Sequence, residues 1–125
     1  FWAVHQDASG EARALALAYL AAIGSGHVGI FPTTFREETV SDLFGEQVVL
    51  VGGMVALAKA SFTRLTAAGV SPRMAYIDCV HELKYLADLI QQRGIAGMYE
   101  AISDTAEFGA REIEDAIAGP ELLKV

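Results

Sequence analysis

Basic side chains are scarce in this chain: nine Lys and Arg stand against sixteen Asp and Glu, for a formal net charge of −7. The nine are scattered, so no basic stripe is available to neutralise successive phosphates, and nucleic acid is not an expected partner. Cysteine is nearly absent. The single thiol, Cys79, has no intrachain disulfide partner, and its place among apolar residues at helical spacing predicts a covered thiol rather than a nucleophile. Long apolar runs are missing too. The longest, Val48 to Ala58, falls short of the roughly 20 residues that a transmembrane helix needs, and Gly52 and Gly53 interrupt it. No membrane partner is expected. No charged n-region, apolar h-region and small-residue cleavage site open the chain, so the expected location is the cytoplasm. The chain starts at Phe1 without an initiator methionine, and residues upstream of it are expected in the natural protein.

What is present is a chain rich in helix formers and punctuated by glycine. With 53% hydrophobic residues in 125 positions, it can bury a core as one domain, yet is small for an enzyme that must also hold a dinucleotide. Asp7 or Ser9 can cap a first helix, ARALALAYLAAI, which GSG at 24–26 stops. Pro32 excludes regular helix from FPTTF at 31–35, and Thr33 or Thr34 can cap the helix that begins at REET. Gly52 and Gly53 are expected to break or kink that helix, which resumes as VALAKASFTRLTAAG and ends at Gly69. Pro72 suits the first turn of the next helix, MAYIDCVHELKYLADLIQQRG, the clearest amphipathic segment. A last helix runs from about Ser103 to the Gly119–Pro120 pair. No alternation with period two persists, and the fold class is all-α.

Two acid pairs stand out within this frame. Asp42 and Glu46, in SDLFGEQ, are four apart and share a helix face; Gly45 between them costs about 1 kcal/mol relative to alanine. Asp78 and Glu82 repeat the spacing. Projected at 100° per residue, Tyr76, Cys79, Val80, Leu83, Leu86, Ala87 and Ile90 form an apolar face. Lys84, Asp88 and Gln91 lie on one flank of it, with Asp78 and Glu82 on the other. A single pair of this kind is most often solvated surface. Two pairs make a suitable oxygen cage for hard divalent cations, since Mg²⁺ takes carboxylates and keeps several waters. A di-iron carboxylate bundle is a third reading, because Asp78-x-x-His81 has the acid-x-x-His spacing. It needs that motif twice, and glycine stands at position 45 where the first pair would need histidine. His81, His5 and His27 are therefore read as structural or surface residues.

VHQDASG at 4–10, TTFREETVSDLFGEQ at 33–47, HELK at 81–84 and ISDTAEFG at 102–109 together resemble the C-terminal helical domain of ketol-acid reductoisomerase. The resemblance runs from Ala3 to about Gly109. It implies an all-α knotted domain spanning residues 1–125 that forms an interlocked homodimer. It also implies an N-terminal Rossmann domain that this chain lacks, since GSGHVG at 24–29 follows a helix and not a strand. The family's reaction is an Mg²⁺-dependent alkyl shift in 2-acetolactate or 2-aceto-2-hydroxybutyrate followed by reduction with NADPH, in valine, leucine and isoleucine biosynthesis. By resemblance, Asp42, Glu46, Asp78 and Glu82 bind two Mg²⁺ ions and Ser103 contacts the substrate carboxylate. Asp42 and Glu46 of one chain meet Asp78, Glu82 and Ser103 of the other, and Gly45 admits close helix packing beside the metals. No catalytic residue is implied beyond the metal ligands, and no cofactor-binding residue. NADPH would be bound only through the missing domain, so the chain alone is expected to be inactive.

Three positions depart from the family pattern. Asp78 stands where glutamate is usual, one methylene shorter. GMYEAIS replaces a GMRYSIS-like approach to Ser103 and puts Glu100 near the expected anionic substrate. The tail after Gly109 is shorter than the family's. A non-catalytic helical dimerisation module, or a divergent paralogue, is the alternative reading.

Overall fold

The computed structural model describes residues 1–117, the side chain of Asp115 excepted; the predicted helix end at Gly119–Pro120 lies outside the described residues. These residues are helical, with no strand among them and one isolated parallel bridge between Trp2 and Pro32. The all-α expectation holds. The chain divides into two compact units, Phe1–Leu57 and Ala58–Val125.

In the first unit, the N-terminal segment is tied to the loop before the second helix. The Trp2 N–H donates to the Phe31 carbonyl and the Thr33 N–H to the Trp2 carbonyl, both at 2.9 Å. Helix α1 (Ala12–Ala22) starts without a side-chain cap on its own boundary residue, Glu11. The orphan amides are met from further back: Asp7 accepts from Gly10 N at 2.7 Å and from Ala12 N at 3.2 Å, and Ser9 Oγ accepts from Glu11 N at 3.1 Å. Both residues named from sequence take part. Desolvation would raise the Asp7 pKa, but the donors Ala12, Ser9 and Gly10 outweigh it and hold the carboxyl below its ordinary value. Gly24, at φ 84°, ends the helix in the left-handed region, where a Cβ would be strained. One 3₁₀ turn, Ser25–His27, follows.

Thr34 caps helix α2 (Phe35–Phe44), its hydroxyl accepting from Glu37 N at 3.0 Å. Gly52 and Gly53 are expected from sequence to break or kink this helix. Instead α2 passes into a π-helical segment, Gly45–Gly53, and on into α3 (Met54–Ala67). Glycine here widens the turn rather than ending the helix. The continuous helix Phe35–Ala67 is 33 residues long and apolar enough to cross a membrane by length and composition, a property that the run Val48 to Ala58 taken alone does not have. α3 ends in a Schellman pair at Gly69, where Val70 N donates to Leu65 O at 3.1 Å and Gly69 N to Thr66 O at 3.0 Å.

In the second unit, Ser71 caps α4 (Pro72–Tyr76), with Pro72 in its first turn and Met74 N donating to Ser71 Oγ at 3.3 Å. A second π segment, Ile77–His81, leads to α5 (Leu83–Tyr99). This segment upsets the uniform 100° projection, because a π turn takes in an extra residue. Of the predicted apolar face, Cys79, Val80 and Leu83 are half-buried while Tyr76, Leu86, Ala87 and Ile90 are exposed. α5 is not one smooth rod: Gly94 has φ 70° and ψ 176° inside it, a conformation essentially reserved for glycine. Helix α6 (Asp104–Ile117) completes the described chain.

Burial is slight. Ala75 is the one fully buried residue among those described, and large apolar side chains lie open on both units, including Val49, Leu50 and Val51 in the first π segment and Tyr85 and Ile95 on α5.

Candidate metal and substrate site

The five residues singled out by the resemblance fall in the two units separately. Asp42 lies in the last turns of α2 and Glu46 at the start of the first π segment. Asp78 lies at the start of the second π segment, with Glu82 directly after it. Glu46 is half-buried; Asp42, Asp78, Glu82 and Ser103 are exposed. In an α-helix, position i+4 overshoots a full turn by about 40°. A π turn advances less per residue, which brings an i,i+4 pair nearer to alignment.

Among the described residues, none of these four carboxylates enters a hydrogen bond or ion pair. Other acids do: Glu37 accepts from Thr33 Oγ1 at 3.2 Å, Asp88 pairs with Lys84, and Glu107 takes both Nε and Nη2 of Arg111, at 3.1 and 2.7 Å. Lack of a partner does not by itself mark a site, since Glu38, Glu100 and Asp104 share it. What distinguishes the four is their pairing at helix irregularities. No group of three or more metal-ligating side chains comes together among the described residues. Each pair by itself offers carboxylate oxygens, the donor type that a hydrated hard cation takes. Neither pair completes a coordination shell within its own unit. His81 is exposed beside Glu82 and lines a shallow surface hollow with Lys84, Tyr85 and Asp88, which agrees with a surface histidine. Among the described residues, no heavy atom outside its own helical turn lies within 4 Å of a Cβ placed on Gly45.

Ser103 is the residue before α6, and its hydroxyl accepts from Ala106 N at 3.3 Å while its carbonyl accepts from Glu107 N at 3.0 Å. That leaves the hydroxyl proton free to donate at a helix N-terminus, a setting that favours anions. The turn leading to it is braced by contacts that the sequence reading did not find. Tyr99 Oη donates to Glu114 Oε2 at 3.2 Å, and the Arg111 guanidinium stacks 4.6 Å from the Tyr99 ring centroid. Desolvation, and then the negative charge of Glu114, raises the Tyr99 pKa, so the phenol stays a neutral donor. The Glu107/Arg111 spacing was a legible i,i+4 signal; the Tyr99–Glu114 bond joins two helices fifteen residues apart and has no sequence signature.

Comparison with known proteins bears on all of this. Residues 35–125 match the family described as ketol-acid reductoisomerase, C-terminal domain. Among solved structures, the chain is similar to an NADH-preferring ketol-acid reductoisomerase from an uncultured archean. The two share 49% identity at a TM-score of 0.88, over 98% of this chain and 37% of that one. The likeness extends past Gly109, beyond the blocks that carry the resemblance in sequence, and the chain spans little more than a third of that relative's length. By the match over 35–125 and by an all-α fold shared nearly end to end with that structure, the chain belongs to the ketol-acid reductoisomerase C-terminal domain family.

Proposed function

We propose that this chain is the metal- and substrate-binding half of a ketol-acid reductoisomerase, and that it works as an interlocked homodimer joined to an N-terminal Rossmann domain. The observation that carries the reading is the likeness to a reductoisomerase over 98% of the chain at 49% identity. Asp42 and Glu46 of one chain, with Asp78 and Glu82 of the other, would hold two Mg²⁺ ions. Bound there, Mg²⁺ supplies Lewis-acid polarisation of substrate oxygens and compensates for the repulsion between the acids. Ser103 Oγ would donate to the carboxylate of 2-acetolactate or 2-aceto-2-hydroxybutyrate, helped by the N-terminal amides of α6. Asp78, a methylene shorter than glutamate, reaches less far and favours ligation through water. The reductant would enter from the Rossmann domain. NADPH is the expected nucleotide, although the similar archaeal protein is described as NADH-preferring.

Exposed apolar side chains support the dimer. Among the described residues Val49, Leu50 and Val51 on the long helix and Tyr85 and Ile95 on α5 lie open to water, and an apolar surface of that kind is what a partner covers. A second copy accounts for it better than lipid, because the long apolar helix also carries Glu37, Glu38, Asp42 and Glu46 at one end and Lys59 and Arg64 towards the other. The cytoplasm is the corresponding location.

The test is the Mg²⁺ dependence of thermal unfolding of the 125-residue chain. A site at tenfold excess of Mg²⁺ over Kd gains about 1.4 kcal/mol, and the melting temperature should rise accordingly. Glu46→Gln and Glu82→Gln should each remove the rise while keeping the fold. Identical melting of wild type and both variants, with and without Mg²⁺, would sink the metal reading and favour a non-catalytic dimerisation module.

A further inference from the structure

Both acid pairs sit where an α-helix gives way to a π-helix. Glu46 is the second residue of Gly45–Gly53, with Asp42 a turn earlier; Asp78 is the second residue of Ile77–His81, with Glu82 next after it. A π turn closes on the carbonyl five residues back instead of four, and such turns are rare and concentrate at functional sites. A rare register needs something to hold it.

In the first segment glycine does so. A Cβ on Gly52 would fall on the carbonyl oxygen of Gln47, and one on Gly53 on the carbonyl oxygen of Val48. Each is the carbonyl five residues earlier, the one a π turn closes on. Both are backbone atoms that cannot swing aside as a side chain can. The contrast with Gly45, whose added Cβ meets nothing within 4 Å, is informative: the glycine between the two acids is not one that the register requires. An alanine at 52 or 53 relieves the clash by returning the helix to the α register. Each α residue advances about 100°, so losing one residue's worth of π register turns Asp42 and Glu46 by about that angle relative to the start of α3.

We propose that Gly52 and Gly53 are positioning residues for the Asp42/Glu46 carboxylates: by admitting the π register they set the direction in which this pair leaves the helix relative to α3. The role rests on the reading of these acids as metal ligands. It predicts that the glycines matter through rotational phase and not through flexibility.

The test uses Mg²⁺ alone as ligand and the rise in melting temperature as readout, with circular dichroism and sedimentation reporting fold and assembly. The double variant Gly52→Ala, Gly53→Ala should fold as helix and lose the Mg²⁺-induced rise. Deleting Val51 from that double variant removes the extra residue and resets the phase, so the rise should return. Retention of the full rise in the double variant overturns the proposal, as does failure of the deletion to restore it. If the double variant does not fold, Val51 is deleted from the wild-type chain: a preserved rise supports the role of phase, and a deletion variant that is unfolded or unresponsive overturns it. Glu46→Gln, run alongside, separates the two levels. If it keeps the wild-type rise, the metal reading has failed and the positioning role falls with it; if it loses the rise while the double alanine keeps it, only the positioning role has failed.

Discussion

The two π segments are one device built in two environments. Gly45–Gly53 is opened by glycines whose missing Cβ atoms make room for carbonyls five residues back. Ile77–His81 contains no glycine and lies beside Ala75, the fully buried residue. Packing is available to hold the second segment, with Ile77, Cys79 and Val80 half-buried. The first has Val49, Leu50 and Val51 exposed at 58%, 59% and 64%. Three consecutive side chains on a helix point in three directions. No single face of their own unit could cover them all, which is the feature that the proposed second copy would meet. The same backbone irregularity thus coincides with glycines in one place and with half-buried side chains in the other.

The comparison breaks most visibly at the first segment. Leu50→Asp or Val51→Asp puts a charge where a second copy is proposed to pack, and a buried unpaired charge is not tolerated. The expected outcome is loss of the dimer, with most of the helical signal, in sedimentation and circular dichroism at micromolar concentration. Either variant remaining a dimer of wild-type stability would mean that these side chains stay in water. A wild-type chain that sediments as a stable monomer would contradict the dimer outright.

A smaller effect is expected at the second segment. Ala75 has no exposed surface, and Ala75→Leu overpacks it at a cost of about 1–3 kcal/mol. Denaturant unfolding should show a lower midpoint. An unchanged midpoint would mean that the packing beside Ile77–His81 is looser than its burial implies.

Smaller again is the cap on the helix that carries the second segment. Ser71→Ala removes the acceptor for the Met74 N–H and should cost about 1 kcal/mol, read as a drop in melting temperature that Ser71→Asp largely recovers. Thr34→Ala, which uncaps the helix leading to the first segment, should match it. A large difference between the two would show that the segments draw unequally on their helix starts.

The least effect belongs to Asp7, at the start of α1 and remote in sequence from both segments. Its carboxyl is held below its ordinary value in the folded chain by the amide and hydroxyl donors around it. Stability from it is therefore present above that value and lost as pH falls through the folded pKa. Asp7→Asn should flatten the acid limb of the stability profile below about pH 4 and leave neutral pH nearly unchanged. A steeper acid limb in the variant would reverse the sign.

Much of the fold was legible from residue chemistry. Thr34 and Pro72 start helices and Gly24 and Gly69 end them, because caps, proline at a first turn and left-handed glycine act within a few residues and need no distant partner; the Ser71 cap, of the same local chemistry, is not among the expectations from sequence. The acid pairs could be named from their i,i+4 spacing, whereas Ser103 could be named only through the blocks that resemble the family. Gly52 and Gly53 were legible as glycines but not as π formers. Whether a helix glycine breaks, kinks or widens a turn depends on which carbonyl the next N–H finds, and composition does not encode that choice. Tyr99 with Arg111 and Glu114 was illegible too, since that contact exists only once α6 turns back on α5. The sequence by itself determined where most helices begin, where Gly24 and Gly69 stop two of them, and which residues carry charge. Tertiary structure alone decided the phase at which those charges leave the helix and the neighbours that brace Ser103. Phase accumulates along a backbone register, and neighbours are made by chain segments that meet only after folding.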